Sequence, residues 1–448
     1  MPKLNVSGYR GIWGKDLDEK IAFDFGRAFA KMIKEQGGHK ILIGRDARKT
    51  GPQIFKAIKL ALKKEGLEGE YAGIIPTPSM LLLARKLSFG GGIMITASHN
   101  PREYNGLKFI NKNGLFATQK EIEKIEENRK NLIEDEKNFS QKENEEEVCD
   151  NSSYQKIHIK EVLKNIDVNL IKSKKFKVTH DPINSAGSTI TKKLLEELGC
   201  EVSQINEEQN GEFAHEPEPL AKNLKQLAEA VSKNNSDIGF AQDPDADRLV
   251  LANEKGEILN EEYTLALAVK SVLSKNPSDV ILNMSTSKMC EDLANNYNKK
   301  VFRTKVGEPN VVEKMIERGA LIGGEGNGGV IYSKINTARD SLAGIALVLE
   351  LMAREKKNIS EIIESLPKYF MKKDKITFSG DLTLLYEKLK AKFKEASTNT
   401  LDGLRFDWPD SSWVHIRPSN TEPVIRIIGE AKEENRINTI FNQVRLIL

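Results

Sequence analysis

Apolar positions along the chain alternate between two periods. Ile21, Phe25, Phe29 and Met32 recur at helical spacing, and Lys40-Ile41-Leu42-Ile43-Gly44 follows as a short run of strand length. The alternation repeats: residues 54–62 predict a helix, residues 72–75 a strand stopped by Pro76 and Pro78, and residues 92–96 another buried strand. In parallel α/β sheets the carboxyl ends of strands carry ligands. Three such ends stand out here: Gly44-Arg45-Asp46-Ala47-Arg48, Ile75-Pro76-Thr77-Pro78-Ser79 and Thr96-Ala97-Ser98-His99-Asn100.

Residues 118–153 shift to Glu, Lys and Asn, which predicts a solvated helix, a mobile link and a boundary near 150. Beyond it the α/β pattern resumes. Residues 176–179 predict a strand, 188–198 a helix, and 202–205 and 237–240 two more strands, the second entering an acidic loop. A hairpin is expected around Lys255-Gly256. A third stretch starts near Glu261 with an apolar helix, passes strands at 280–284 and 301–304, and reaches a glycine-rich loop at 323–329. The last eighty or so residues hold two strand-like runs, 413–417 and 424–428, around a polar loop, then a terminal helix, which suggests a smaller α+β domain.

Bulk properties narrow the class. A length of 448 residues exceeds one compact core and predicts two to four domains. The 68 basic and 65 acidic residues nearly balance, without a basic tract, so no nucleic-acid partner is expected. Cys149, Cys200 and Cys290 form neither a disulfide framework nor a metal knuckle, so a reducing cytoplasm is the expected setting. No window has the roughly 18 apolar residues of a membrane span, and the N-terminus lacks an apolar export segment. A soluble, unexported protein with no membrane partner follows as the expectation.

Four segments carry candidate chemistry. Ser98 follows a buried strand in a polar loop, where it reads either as a presented hydroxyl or as an ordinary turn residue. Asp243-Pro244-Asp245-Ala246-Asp247-Arg248 places three carboxylates at alternate positions, able to turn toward one hard cation. An EF-hand loop matches that count and has Glu254 at its twelfth position, but needs glycine at the sixth, where Arg248 stands. A solvated acidic turn is the other reading. Gly323-Gly324-Glu325-Gly326-Asn327-Gly328-Gly329 offers backbone freedom with one carboxylate and one amide, suited to hydroxyl recognition. It is neither a dinucleotide fingerprint nor a Walker loop. Arg417-Pro418-Ser419-Asn420-Thr421-Glu422-Pro423 gathers a guanidinium, hydroxyls and an amide, donors that suit a phosphate; a solvated turn is the alternative.

In this order and spacing the four segments resemble the signature loops of the α-D-phosphohexomutase superfamily, over essentially the whole chain. The resemblance extends to Ser7-Gly8-Tyr9-Arg10-Gly11, Gly44-Arg45-Asp46-Ala47-Arg48, Pro76-Thr77-Pro78 and Arg303-Thr304-Lys305-Val306-Gly307. It implies an α/β fold of four domains around a central cleft: three related mixed-sheet domains, expected at 1–150, 151–252 and 253–366, and a smaller C-terminal α+β domain at 367–448.

The resemblance further implies that Ser98 is phosphorylated in the active enzyme and that Ser98, Asp243, Asp245 and Asp247 hold one Mg²⁺. A phosphoserine brings nearly two negative charges, which a metal and Arg248 would offset during transfer. The implied reaction interconverts hexose 1-phosphates and 6-phosphates through a hexose 1,6-bisphosphate, which also serves as activator. Lys108 is the expected acid or base, with Arg10 and His99 beside it. Lys305, Gly307, Glu325 and Asn327 would contact the sugar phosphate, and Arg417, Ser419, Asn420 and Thr421 would clamp its phosphate. Many bacterial members end the sugar loop in Ser-Gly-His, whereas this chain has Asn327-Gly328-Gly329, so an imidazole is missing and Lys305 is a candidate substitute. Ser-Asn-Thr-Glu-Pro in the phosphate loop favours mannose and glucose phosphates. Glucosamine phosphate is the first alternative and a non-catalytic sugar-phosphate binder a remote one. Hexose phosphates are the expected partners, and the chain is expected to be a monomer or homodimer.

Overall fold

A computed structural model describes residues 4–132, 150–418 and 424–448. The N-terminal sheet contains β1 (Tyr9–Ile12), β2 (Lys40–Arg45), β3 (Glu68–Ile74), β4 (Gly91–Ile95) and β5 (Tyr104–Asn111), in the order β1-β5-β4-β2-β3. The next holds β6 (Lys177–Asp181), β7 (Glu201–Gln204), β8 (Ile238–Gln242) and β9 (Leu249–Ala252), ordered β7-β6-β8-β9. The third holds β10 (Val280–Asn283), β11 (Val301–Thr304), β12 (Ile322–Glu325) and β13 (Gly329–Tyr332), ordered β11-β10-β12-β13.

One plan runs through all three. A central strand (β2, β6 or β10) pairs in parallel with two neighbours, and the later neighbour (β4, β8 or β12) turns back into an antiparallel strand. Because helices cover both faces, β4, β8 and β12 are buried at every position and read as short apolar or glycine runs without alternation. The C-terminal sheet departs from the plan. Its strands β14 (Phe370–Thr377), β15 (Ser397–Asn399), β16 (Leu404–Asp407), β17 (Trp413–Pro418) and β18 (Val424–Ala431) are all antiparallel, ordered β14-β18-β17-β16-β15.

Local chemistry explains the main helices. Helix Glu19–Glu35 starts where Asp18 accepts from Ile21 N–H, and it buries Phe25, Phe29, Met32 and Ile33 along the predicted stripe. Helix Ser341–Glu355 is apolar nearly all round because it lies inside the core shared by the second and third units. Asp340 caps it, accepting from Leu342 and Ala343 N–H.

Three local expectations need correction. The stretch 323–329 is not an open loop: Gly323, Gly324 and Glu325 belong to β12 and Gly329 opens β13, so only residues 326–328 turn. Residues 253–260 form a turn closed by the single bridge Ala252–Ile258 rather than a two-stranded hairpin. The Ile75–Ser79 segment already enters helix Thr77–Lys86, since Pro76 suits the N-cap and Pro78 the first turn, where no amide donor is needed. The expected link between the first two units falls largely at 133–149, and Cys149 with it, outside the described residues.

Candidate active site

The connection from β4 to β5 carries Ser98, which is fully buried and sits at φ 50°, in the left-handed region that non-glycine residues rarely occupy. Ser98 N–H donates to Thr96 Oγ1 at 2.9 Å, and Thr96 Oγ1 donates in turn to Asp46 Oδ2 at 2.6 Å. The Arg48 guanidinium donates to the carbonyls of Ser98, Asn100, Pro101 and Tyr104 at 2.6 to 3.1 Å. The Gly44–Arg48 segment thus positions the serine loop.

The connection from β8 to β9 supplies the carboxylates. One oxygen from each of Asp243, Asp245 and Asp247 lies within 4.8 Å of the others, and all three residues are buried. Ser98 Oγ donates to Asp243 Oδ2 at 2.9 Å, while Asp247 and Arg248 N–H donate to Asp243 Oδ1 at 3.1 and 3.2 Å. Asp245 Oδ2 accepts from Lys108 Nζ at 2.6 Å and from Thr77 Oγ1 at 2.5 Å. Burial, followed by the charges of Asp247 and Asp245, pushes the Asp243 carboxyl well above its usual range. Burial would raise Asp245 too, but Lys108 and Thr77 outweigh it and hold that carboxyl below its ordinary value. Among the described residues, Asp245 Oδ1 and Asp247 Oδ1 are buried without a hydrogen-bond partner. Two orphaned carboxylate oxygens beside a third carboxylate and a hydroxyl fit a hard divalent cation.

Cations ring this cluster. Lys108, on β5, also lies 3.6 Å from Asp247. Arg10 Nη1 donates to Asn100 Oδ1 at 3.0 Å, and Arg248 reaches Glu218 at 3.7 Å. Burial and the nearby Arg248 and Arg10 charges hold the His99 imidazole well below its usual range, with Nδ1 at 3.4 Å from Ser98 Oγ.

The β12–β13 turn brings the residues expected to contact sugar against this centre. Leu249 N–H donates to Gly328 O at 3.0 Å, joining the aspartate loop to the turn. Glu325 Oε1 accepts from Asn283 Nδ2 and from Gly307 N–H, both at 2.8 Å, and Oε2 accepts from Arg339 Nη1 at 2.8 Å. Burial acts to raise its pKa, but Arg339 and these donors keep it below the normal value. Asn327 Oδ1 accepts from Gly329 N–H at 3.2 Å within the turn. Lys305 is exposed just beyond β11. Arg339, unremarked in the sequence, is paired with Asp247, Glu308 and Glu325. Burial, ahead of the opposing Arg339 charge, pushes Glu308 up to about 7.

The C-terminal unit docks on the loop that follows β10. Ser285 Oγ meets His415 Nδ1 at 2.8 Å, Ser287 Oγ donates to Glu430 Oε1 at 2.5 Å, and Arg405 donates to Met284 O. Thr286 Oγ1 of that loop accepts from Gly326 N–H at 3.1 Å, linking the dock to the β12–β13 turn. Arg417, at the end of β17, is half-buried, with its Nε lacking a hydrogen-bond partner among the described residues. Ser419, Asn420 and Thr421 lie outside the described residues.

A second constellation mimics a hydrolase. Ser79 Oγ lies 2.8 Å from His158 Nδ1, and His158 Nε2 lies 2.8 Å from Asp340 Oδ2. All three are fully buried, and Asp340 is engaged in capping its helix. The trio ties helices of three units together and has no open face for a substrate.

Comparison with known proteins agrees with this layout. The phosphoglucomutase/phosphomannomutase alpha/beta/alpha domains I, II and III match residues 1–136, 156–256 and 260–370, and the C-terminal domain of the same family matches 380–447. A phosphoglucomutase/phosphomannomutase of Thermococcus kodakarensis is 36% identical over 96% of this chain and 94% of the relative. A phosphoglucosamine/phosphogalactosamine mutase of Sulfurisphaera tokodaii is 33% identical over 100% and 99%. A phosphoglucosamine mutase of Methanocaldococcus jannaschii is 34% identical over 95% and 94%. Among solved structures, a phosphoglucomutase/phosphomannomutase family protein of Burkholderia thailandensis superposes with a TM-score of 0.84 at 27% identity, covering 100% of this chain and 98% of the other. With all four domains matched in order and relatives aligned nearly end to end, the chain belongs to the phosphoglucomutase/phosphomannomutase family, within the α-D-phosphohexomutase superfamily.

Proposed function

We propose that the protein is a phosphohexomutase that interconverts the 1- and 6-phosphates of mannose and glucose, with Ser98 as the phosphoryl carrier. The observation that carries this reading is the hydrogen bond from Ser98 Oγ to Asp243, which sets the hydroxyl on the rim of a buried three-carboxylate cluster with two orphaned oxygens. Mg²⁺ held by Ser98, Asp243, Asp245 and Asp247 would offset the charge of the phosphoryl group.

The phosphoryl bond to Ser98 Oγ breaks as one forms to the free hydroxyl of a hexose monophosphate. The resulting 1,6-bisphosphate turns over and returns its other phosphoryl group to the serine. Lys108, next to Asp245, is assigned the exchange of a proton with the sugar hydroxyl, with Arg10, Arg248 and His99 around the transferring group. Glu325, Asn327 and Gly307 are assigned to sugar hydroxyls. Arg417, with Lys305, Ser419, Asn420 and Thr421, is assigned to the distal phosphate, which its spare buried Nε suits.

Relatives named phosphoglucosamine mutase, at 31 to 34% identity, favour glucosamine phosphates as a second reading. A coupled isomerisation assay decides, using Mg²⁺, a trace of hexose 1,6-bisphosphate and the 1-phosphates of glucose, mannose and glucosamine. Turnover abolished in Ser98→Ala supports the mutase, and the ranking of sugars assigns the substrate. Absence of interconversion by folded, metal-loaded protein refutes it for these sugars.

A further inference from the structure

The reaction scheme gives no task to the buried Arg339. Arg339 lies between β13 and helix Ser341–Glu355, and its three guanidinium nitrogens each take a different carboxylate. Nη2 donates to Asp247 at 2.5 Å, Nη1 to Glu325 at 2.8 Å and Nε to Glu308 at 3.0 Å, while its backbone N–H donates to Glu308 at 2.9 Å. One planar fork therefore spans the metal loop of the second unit and the sugar strand of the third, a geometry a flexible ammonium cannot reproduce. Gly329 makes the space: a β-carbon there would overlap Cδ of Arg339. The missing side chain at the end of the sugar turn is thus filled from elsewhere.

The bonds around Glu325 show what the fork controls. Asn283 and Gly307 occupy Oε1, and Arg339 takes one acceptor site of Oε2, so a single lone pair on Oε2 is left for a ligand. The direction of that lone pair relative to Asp247 is fixed by the guanidinium bonded to both.

We infer that Arg339 is a positioning residue for sugar recognition, holding Glu325 in register with the metal ligand Asp247, and that Gly329 is required to admit it. The inference rests on the assignment of Glu325 to sugar hydroxyls. A charge-assisted hydrogen bond that a mispositioned Glu325 can no longer align with the sugar is expected to weaken binding by roughly tenfold or more.

The test compares Arg339→Lys, Gly329→Ala, Glu325→Gln and the double variant Arg339→Lys/Glu325→Gln. KM and kcat are measured with glucose 1-phosphate, and its equilibrium binding by calorimetry in a Ser98→Ala background. Arg339→Lys keeps the charge, and Gly329→Ala keeps the arginine but evicts it sterically, so the second decides if the first fails to fold. The expected result is a rise in KM and Kd of roughly tenfold or more in both, a smaller change in kcat, and no further loss when Arg339→Lys is added to Glu325→Gln. Unchanged KM and Kd in folded Arg339→Lys and Gly329→Ala overturn the inference, as do losses that multiply in the double variant. If Glu325→Gln itself binds sugar phosphate normally, the sugar assignment and the inference fall together; if it binds weakly while the other two bind normally, only the inference falls.

Discussion

Neutralising Asp243 should make the metal-free protein more stable while removing its metal affinity. Of the three clustered aspartates, Asp245 is paired with Lys108 and Asp247 with Arg339, whereas Asp243 is held by the Ser98 hydroxyl and two backbone amides. At a separation within 4.8 Å, each like-charge pair costs about 3.5 kcal/mol or more at an effective dielectric near 20. Arg248 offsets part of this. Asp243 can also escape by taking up a proton, and from the ordinary carboxyl value of 3.8 that costs about 4 kcal/mol at pH 7, which caps the penalty. A net cost of about 2 to 4 kcal/mol follows. Asp243→Asn keeps the shape and the amide bonds, so denaturant unfolding in EDTA at pH 7 should show it more stable than wild type by about that amount. Adding Mg²⁺ should stabilise wild type and leave the variant unmoved, reversing or erasing their order, and mutase turnover should be lost. If Asp243→Asn is less stable than wild type in EDTA, the three carboxylates do not repel one another as their spacing requires.

Three further outcomes are expected. Lys108→Met strands the buried Asp245 charge, so stability in EDTA should fall by about 3 kcal/mol and turnover by about 10²–10⁴-fold; unchanged kinetics would remove Lys108 from the proton step. Glu262, 4% exposed, has its carboxyl pushed up to about 7 by burial against the opposing Lys373 charge. Between pH 4.5 and about 7 the folded state then binds more protons than the unfolded, so this group's contribution to stability falls as pH rises, by about 3 kcal/mol in all. Glu262→Gln should remove that slope in urea titrations across the window, and a parallel pH profile would refute it. His158→Ala breaks the buried Ser79–His158–Asp340 chain and should destabilise by about 2 to 4 kcal/mol with kcat of the folded enzyme retained, while a fluorophosphonate should fail to label Ser79.

What the sequence revealed, and what it concealed, follows from range. Buried parallel strands such as β4 and β8 announce themselves as uninterrupted apolar runs, and the three aspartates share one loop, so both are visible locally. β5 went unrecognised because Asn105, Lys108 and Asn111 occupy buried positions where an apolar pattern is expected; they are polar because they serve the site and its scaffold. β14 reads as a charged run since Lys372, Lys373 and Lys375 are spread along an edge strand. Arg339 stands 14 residues beyond Glu325 in Asn336-Thr337-Ala338-Arg339-Asp340, a stretch without periodicity, and only the return of the chain through β13 brings the two together. Gly329 itself is the one local hint: a glycine at the foot of a strand asks what occupies its side-chain space, and the structure answers with Arg339.

The repeated sheet plan bears on how such a site is inherited. Ser98, the three clustered aspartates and the Gly326–Gly328 turn each occupy the connection from the later parallel strand to its antiparallel partner, at residues 96–103, 243–248 and 326–328. A chain that repeats one plan three times possesses one slot three times, and here the copies have been given different trades. Under the roles proposed above, a truncated chain with two of them would own a carrier and a cation pocket with nothing to hold a sugar. Change in any slot is therefore judged by what the other two can reach, and the smallest heritable unit of this chemistry is the trio.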